Sequence, residues 1–209
     1  MRITWIGHAC FFIEALEGRI VMDPFAEEIP YAFPELEADL VTVSHDHSDH
    51  NAAGRVRGNP SIVRATGDLD VHGVRVRGIA SLHQEEGGDN NLYVLSLEGM
   101  RIAHLGDLGT LLNETQRAAL ADVKVLLVPV GGNYTIDAKQ AAAILDGMAS
   151  VKLVIPMHFK TAAIADWPIA TVEEFEGLMD NVHRVGASTI EVTCASLPEQ
   201  REVWILDHA

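Results

Sequence analysis

The sequence predicts an α+β fold in one domain spanning 1–209, with two β-sheets face to face and helices outside them, an αββα four-layer sandwich. Three observations carry that prediction. Hairpin-like strands open the chain and strands alternating with helices close it, the pattern of paired sheets with helices on their outer faces. Ala15-Leu16-Glu17-Gly18-Arg19-Ile20-Val21-Met22-Asp23 is echoed by the stretch from Ser96 to Asp107: each is a hairpin through Glu-Gly followed by an apolar strand that ends in Asp. The chain has 209 residues, enough for one substantial core and short for two, and no linker or low-complexity segment divides it.

Taken in order, Arg2–Ile6, Cys10–Leu16 and Arg19–Met22 read as short strands, the last two joined by a turn at Glu17-Gly18. Phe25 to Leu36, rich in aromatics, Pro and Glu, reads as an ordered loop placed to overhang a site. Ala38 to Val43 is a β-branched, apolar run and reads as a buried strand. A short helix over Asn51–Arg57 follows, weakened by Gly54 and Gly58. Ser61–Thr66 and Val74–Leu82 are strands. Asn113 caps a helix to Leu120, and Val123–Val130 is a fully buried strand. Asp137 caps the helix Ala138–Met148, and Val151–Ile155 is another buried strand. Thr171 caps a helix over Val172–Asp180, whose first turn carries Glu173 and Glu174. Ser188–Thr193 and Glu202–Leu206 close the list of strands.

Composition excludes several classes. At 48% hydrophobic and 22% charged the chain is ordinary globular, and no apolar run is long enough to span a membrane. The apolar start, Met1 to Phe12, is interrupted by Gly7-His8 and lacks a cleavage pattern, so it reads as a strand and not a signal peptide. Two cysteines, Cys10 and Cys194, do not make a disulfide framework, which points to the cytoplasm. The formal net charge of −15 disfavours nucleic acid and anionic membranes, both bound through dense Lys/Arg contacts. A small molecule remains the expected partner, with homo-oligomerisation open.

The chemistry concentrates in Ser44-His45-Asp46-His47-Ser48-Asp49-His50, where three imidazoles and two carboxylates fall in six consecutive positions straight after a buried strand. His45 and His47 are two apart, so in extended backbone both point to one side and can grip one cation. Asp49 is in phase with them, and a turn near Ser48 would swing Asp49 and His50 toward a second cation. Neutral imidazole and carboxylate suit zinc, manganese or iron, and two such metals about 3.5–4 Å apart form a hydrolytic centre. The competing reading is a solvated, His-rich loop. His83, Asp107 and His158 each end a predicted strand and are further candidates; alone, each reads equally as a polar strand end or a turn residue.

The signature His45-x-His47-x-Asp49-His50, with Thr4-Trp5-Ile6-Gly7-His8-Ala9, Leu105-Gly106-Asp107 and Val154-Ile155-Pro156-Met157-His158, resembles the metallo-β-lactamase superfamily. Within it the chain looks like the branch of small Zn-dependent hydrolases that includes the ascorbate-6-phosphate lactonases. The resemblance runs from about Arg2 to about Thr161. It implies two divalent metals, zinc first, with manganese or iron as alternatives. His45, His47 and His83 would hold one metal, and Asp49, His50 and His158 the other, with Asp107 bridging. Asp49 would also orient the attacking water or take its proton. His8, in the recurring Gly7-His8-Ala9, would lie at the site rim as proton donor or substrate contact, and His104 would act at or buttress the site; core packing is the alternative for both.

Asp23, at a strand end, is the candidate to hold a ligand histidine by its other ring nitrogen, or else a turn residue before Pro24. Tyr134 and Lys160 are candidate substrate contacts; Lys160 would suit an anionic substrate such as a phosphorylated sugar acid, or else is simply exposed. The function expected is hydrolysis of a lactone or ester of a small compound, anionic if Lys160 faces the pocket. The alternatives are a phosphodiesterase, an iron-dependent oxygen or redox enzyme, and a non-catalytic metal-binding protein. No Gly-x-Ser-x-Gly nucleophile motif competes with the metal reading.

Overall fold

The computed structural model describes residues 1–84 and 87–209. Its strands, in chain order, are β1 (Arg2–Gly7), β2 (Cys10–Ala15), β3 (Gly18–Met22), β4 (Leu40–Thr42), β5 (Ser61–Val63), β6 (Gly67–Val71) and β7 (Val74–Gln84). They continue with β8 (Gly87–Leu97), β9 (Met100–His104), β10 (Val125–Pro129), β11 (Leu153–Met157), β12 (Val182–Arg184), β13 (Thr189–Glu191) and β14 (Glu202–Ile205). Helices α1 (Glu114–Ala119), α2 (Ala138–Asp146) and α3 (Glu173–Glu176) are short.

Two mixed sheets result, ordered β13-β1-β2-β3-β4-β5 and β12-β14-β11-β10-β9-β8-β7-β6. In the first, β1, β2 and β3 are antiparallel, then β3, β4 and β5 run parallel. In the second, β6 to β9 form an antiparallel meander, and β9, β10, β11 and β14 run parallel. The echo between Ala15–Asp23 and Ser96–Asp107 is therefore structural: the β2–β3 and β8–β9 hairpins occupy comparable places in the two sheets.

The period-2 alternation of strands sorts the first sheet's side chains. Ile3, Trp5, Phe11, Ile13, Ile20, Met22 and Leu40 enter the core shared with the second sheet. Ile6, Cys10, Val21 and Val41 face outward, into a separate apolar cluster with Phe25, Ile29, Tyr31 and Leu36. The outer layer on that side is thus a packed loop with two 3₁₀ turns, Ala53–Arg55 and Ala162–Ile164, and not a row of helices. The second sheet keeps helices: α2 buries Ala138, Ala141, Ile144 and Leu145, the i, i+3, i+6, i+7 stripe that faces a core. Tyr93 on β8 joins the sheets, its hydroxyl donating to the carbonyls of Val43 and Val63 at 3.0 and 3.3 Å.

Several expectations need correction. The helix expected over Asn51–Arg57 is only the 3₁₀ turn, in keeping with Gly54 inside it and Gly58 just beyond. The helix expected over Val172–Asp180 is the four-residue α3; Thr171 does not cap it but pairs as a β-bridge with Lys160, and Gly177 follows its last residue. Strands β6 and β12 were not foreseen, nor was β8 before the Ser96-Leu97 end that enters the Glu98-Gly99 hairpin. By contrast, Asn113 and Asp137 each form a reciprocal capping box, with Gln116 and Gln140. Among the described residues no helix is long and apolar enough to cross a membrane.

Candidate metal centre

Strand ends deliver the candidate residues. From the first sheet, His8 follows β1, Asp23 follows β3, and His45 to His50 follow β4. From the second, His83 lies in the last two residues of β7, Asp107 follows β9, and His158 follows β11. Both sheets present these ends at one edge of the sandwich, and the side chains converge there. His45, His47 and His83 form one cluster; Asp49, His50 and His158 form a second, joined by His8; and His45, His50 and Asp107 link the two.

The spacings suit cations. His45 Nε2 and His47 Nδ1 are 3.0 Å apart, and His50 Nε2 lies 3.2 Å from Asp107 Oδ1 and 3.5 Å from Asp49 Oδ2. Asp107 Oδ2 is 3.2 Å from His158 Nε2 and 3.5 Å from His83 Nε2. Two ligands about 2.0–2.1 Å from one tetrahedral zinc stand about 3.3 Å apart, so these separations are of the size that a shared zinc ion requires. His50 Nε2 and Asp107 Oδ1 are also buried without a hydrogen-bond partner, although they face each other. Buried polar atoms are rarely left unpaired, and a cation between these two satisfies both. The donor set of imidazole and carboxylate fits zinc or a similar divalent ion.

A buried network holds the ligands. Asp23 accepts from His50 Nδ1 at 2.8 Å, from the Ser44 amide at 2.8 Å and from the Ser44 hydroxyl. That leaves His50 Nε2 free to face the centre. Burial opposes ionisation of Asp23, but His104, His50 and Ser44 outweigh it and hold its carboxyl below the usual range. Asn90, on β8, donates to Ser81 and to the Leu105 carbonyl, and its Oδ1 accepts from the Asp107 amide at 3.0 Å. Sequence reasoning missed Ser44 and Asn90, because neither is marked by spacing.

Electrostatics follow from crowding. Burial acts against a charge on His50, yet Asp107, Asp23 and Asp49 around it push its pKa well above the ordinary value. Burial also works against an ionised Asp107, and His158 and His50 override it, so its carboxyl titrates well below the usual range. Asp49 is likewise lowered, with burial opposed by the neighbouring His50 and by the hydrogen bond with His8. His45 and His8 are each lowered to about 4, chiefly by burial.

Two catalytic expectations change. His8 is fully buried and lines neither of the two cavities at the centre, so it is not a rim residue; its Nε2 meets Asp49 Oδ2 at 3.0 Å and its ring packs 4.0 Å from that of His158. Its polar side-chain contact is with Asp49. His104 is also fully buried: Nε2 donates to the Ala9 carbonyl at 2.8 Å and Nδ1 accepts from the Gly106 amide at 3.0 Å. Both nitrogens are thereby occupied, and His104 props the turn that carries Asp107.

Two open cavities meet at the histidines. One, of about 460 Å³, reaches His47, Asp49, His83 and Asp107 and is walled by Gln84, Tyr134, Asp166, Trp167 and Pro168. The other, of about 500 Å³, lies between His45, His47 and His83 and the Gly87–Asp89 backbone. Tyr134 lines the first of these cavities. Lys160 does not: it lines neither cavity, and its amide donates to Ala170 beside the bridge to Thr171. The Phe25–Leu36 loop also stays away from the cavity, since its apolar side chains pack on the first sheet. Asp166, Trp167 and Pro168 take the place expected of it, a wall that sequence reasoning missed.

A family model described as a β-lactamase superfamily domain matches residues 2–158. A UPF0173 metal-dependent hydrolase of Thermococcus onnurineus is 30% identical, over 86% of this chain and 92% of its own length. A homologue of the same description from Carboxydothermus hydrogenoformans is 29% identical, over 84% and 91%. A crystal structure from Thermotoga maritima, described as a candidate Zn-dependent hydrolase of the metallo-β-lactamase superfamily, is 38% identical. It superposes with a TM-score of 0.86 over 100% of this chain and 99% of that one. The matched span reaches from β1 to His158 and so includes each of the strand ends that meet at the centre: the chain belongs to the metallo-β-lactamase superfamily and, within it, to the UPF0173 metal-dependent hydrolase family.

Proposed function

We propose that the protein is a dinuclear metallohydrolase that opens a lactone or ester of a small molecule. The observation that carries this reading is Asp107. One of its oxygens faces His50 and the other faces His158 and His83, so a single buried carboxylate is shared by both ligand clusters. His45, His47 and His83 would hold one metal and Asp49, His50 and His158 the other. Two divalent ions so held would bring a water's pKa toward neutrality and polarise a carbonyl.

The remaining work falls to the chain. Asp49 keeps its carboxylate ionised and lines the cavity, where it would accept a proton from an attacking water. His8 fixes that carboxylate from behind, through the 3.0 Å contact. His104 and Asp23 keep the turn and the His50 ring in place and take no part in proton transfer. The anionic substrate suggested by Lys160 loses its support, because that ammonium lies outside the cavity lining. The two cysteines, both free, fit a reducing compartment such as the cytoplasm.

Elemental analysis of protein purified without added metal tests the reading. About two zinc per chain and turnover of aryl acetates or small lactones are expected. Asp107→Ala should lose metal and reduce kcat/KM by more than about a hundredfold, beyond the cost of removing a mere supporting partner. Full activity with both metals retained in Asp107→Ala would refute the shared-carboxylate role.

A further inference from the structure

The wall opposite the metal ligands points to what the substrate looks like. Trp167 is half-buried in the cavity, and its ring meets that of His8 edge-on at 5.2 Å between centroids. It is therefore braced against the residue that holds Asp49, and Ile164 and Ile169 anchor its segment in the outer apolar cluster. Tyr134 and Pro168 extend the same apolar face. Asp166, exposed beside Trp167, forms no ion pair among the described residues. No Lys or Arg lines either cavity at the centre among the described residues, while Asp46, Asp89 and Asp166 lie at their walls.

Resting on the hydrolase reading above, we propose that the site takes an ester or lactone whose group next to the scissile bond is flat, apolar and neutral or positively charged. The flat group packs on Trp167, and a positive substituent is drawn by Asp166 and by the ring's negative face. A negative substituent remote from the scissile bond would meet carboxylates and no cation. Trp167 and Asp166 are thus specificity-determining residues.

The test uses zinc-loaded protein and three phenyl acetates bearing a para trimethylammonium group, a para methyl group or a para sulfonate. Expected kcat/KM falls in that order. Trp167→Ala should raise KM for the aryl esters about fivefold to thirtyfold, the worth of a ring-face contact, and change KM for ethyl acetate much less. Trp167→Phe should restore most of the difference. Asp166→Asn should abolish the advantage of the ammonium ester over the methyl one. A best rate on the sulfonate ester, or an aryl-to-ethyl KM ratio unchanged in Trp167→Ala, overturns the proposal. If wild type with both metals bound hydrolyses none of these esters, it is the hydrolase reading that fails. Binding then decides the wall: benzyltrimethylammonium should quench tryptophan fluorescence at lower concentration than benzenesulfonate, and Trp167→Phe should remove the quench. Equal or reversed affinity overturns the proposal independently.

Discussion

Asp23, His8 and His158 share an uncommon backbone, with φ of 45°, 52° and 51°. L-residues visit the left-handed region rarely, and such positions gather where surrounding structure forces a side chain into a functional direction. Here each follows a strand directly, and the left-handed step turns its side chain off the strand line and toward the centre. Asn tolerates this conformation, so Asp23→Asn is a clean probe. It keeps the shape and removes the charge that faces His50 Nδ1. Metal affinity should fall about tenfold to a hundredfold, the usual cost of losing a ligand's supporting partner, as read by competition with a chromophoric chelator. An unchanged affinity would reduce Asp23 to a turn residue. At this scale the candidate ligands were legible because three His and two Asp crowd into one loop straight after a buried strand. Trp167, Asp166 and Asn90 were not, since an aromatic in a loop or an Asn in a strand gives no spacing to read.

The elements reach the centre only because glycines let backbones touch. Gly106 has φ of 53°, and a Cβ there would stand 2.3 Å from Asn90 Oδ1 and 2.6 Å from Ser44 Cβ. Gly109 is tighter: a Cβ would lie 1.7 Å from the His83 carbonyl oxygen, on the strand that carries a candidate ligand. Gly106→Ala combines backbone strain with displacement of the Ser44–Asp23 and Asn90–Asp107 bonds. It should destabilise the metal-free protein by about 1–3 kcal/mol in urea unfolding and weaken metal binding as well. A variant as stable as wild type would mean that the two sheets have slack at their contact. Long apolar runs such as those of β10 and β11 were legible because burial on both faces leaves no alternative. β8 was not, because Gly87-Gly88-Asp89-Asn90-Asn91 reads as a loop, and only pairing with β7 makes it a strand. The outer layer over the first sheet was illegible for the same reason: Phe25, Tyr31 and Leu36 bury themselves without helical or strand periodicity.

For the whole molecule, a buried cluster of histidines and carboxylates ties folding stability to proton and metal alike. In the metal-free protein His8 and His45 titrate at about 4, below the 6.5 of an unfolded chain. Between those values the unfolded state binds more protons, so stability is lost as pH falls from about 6.5 toward about 4, by on the order of 3 kcal/mol per histidine. His50 has the opposite sign. Its folded pKa is raised, chiefly by Asp107, Asp23 and Asp49 against the cost of burial, so its contribution is complete below about 6.5 and is lost as pH rises through the folded value. The thermal midpoint measured in chelator should therefore peak near pH 6.5 and decline on both sides. His8→Asn, which tolerates the same backbone, should shrink the acid limb by about half, the His45 share remaining, and leave the alkaline one. Saturating zinc should raise the midpoint and abolish the alkaline limb, because a cation then stands where the His50 proton was. An alkaline limb that persists with zinc bound would place the ion away from His50 and so outside the centre that both sheets build.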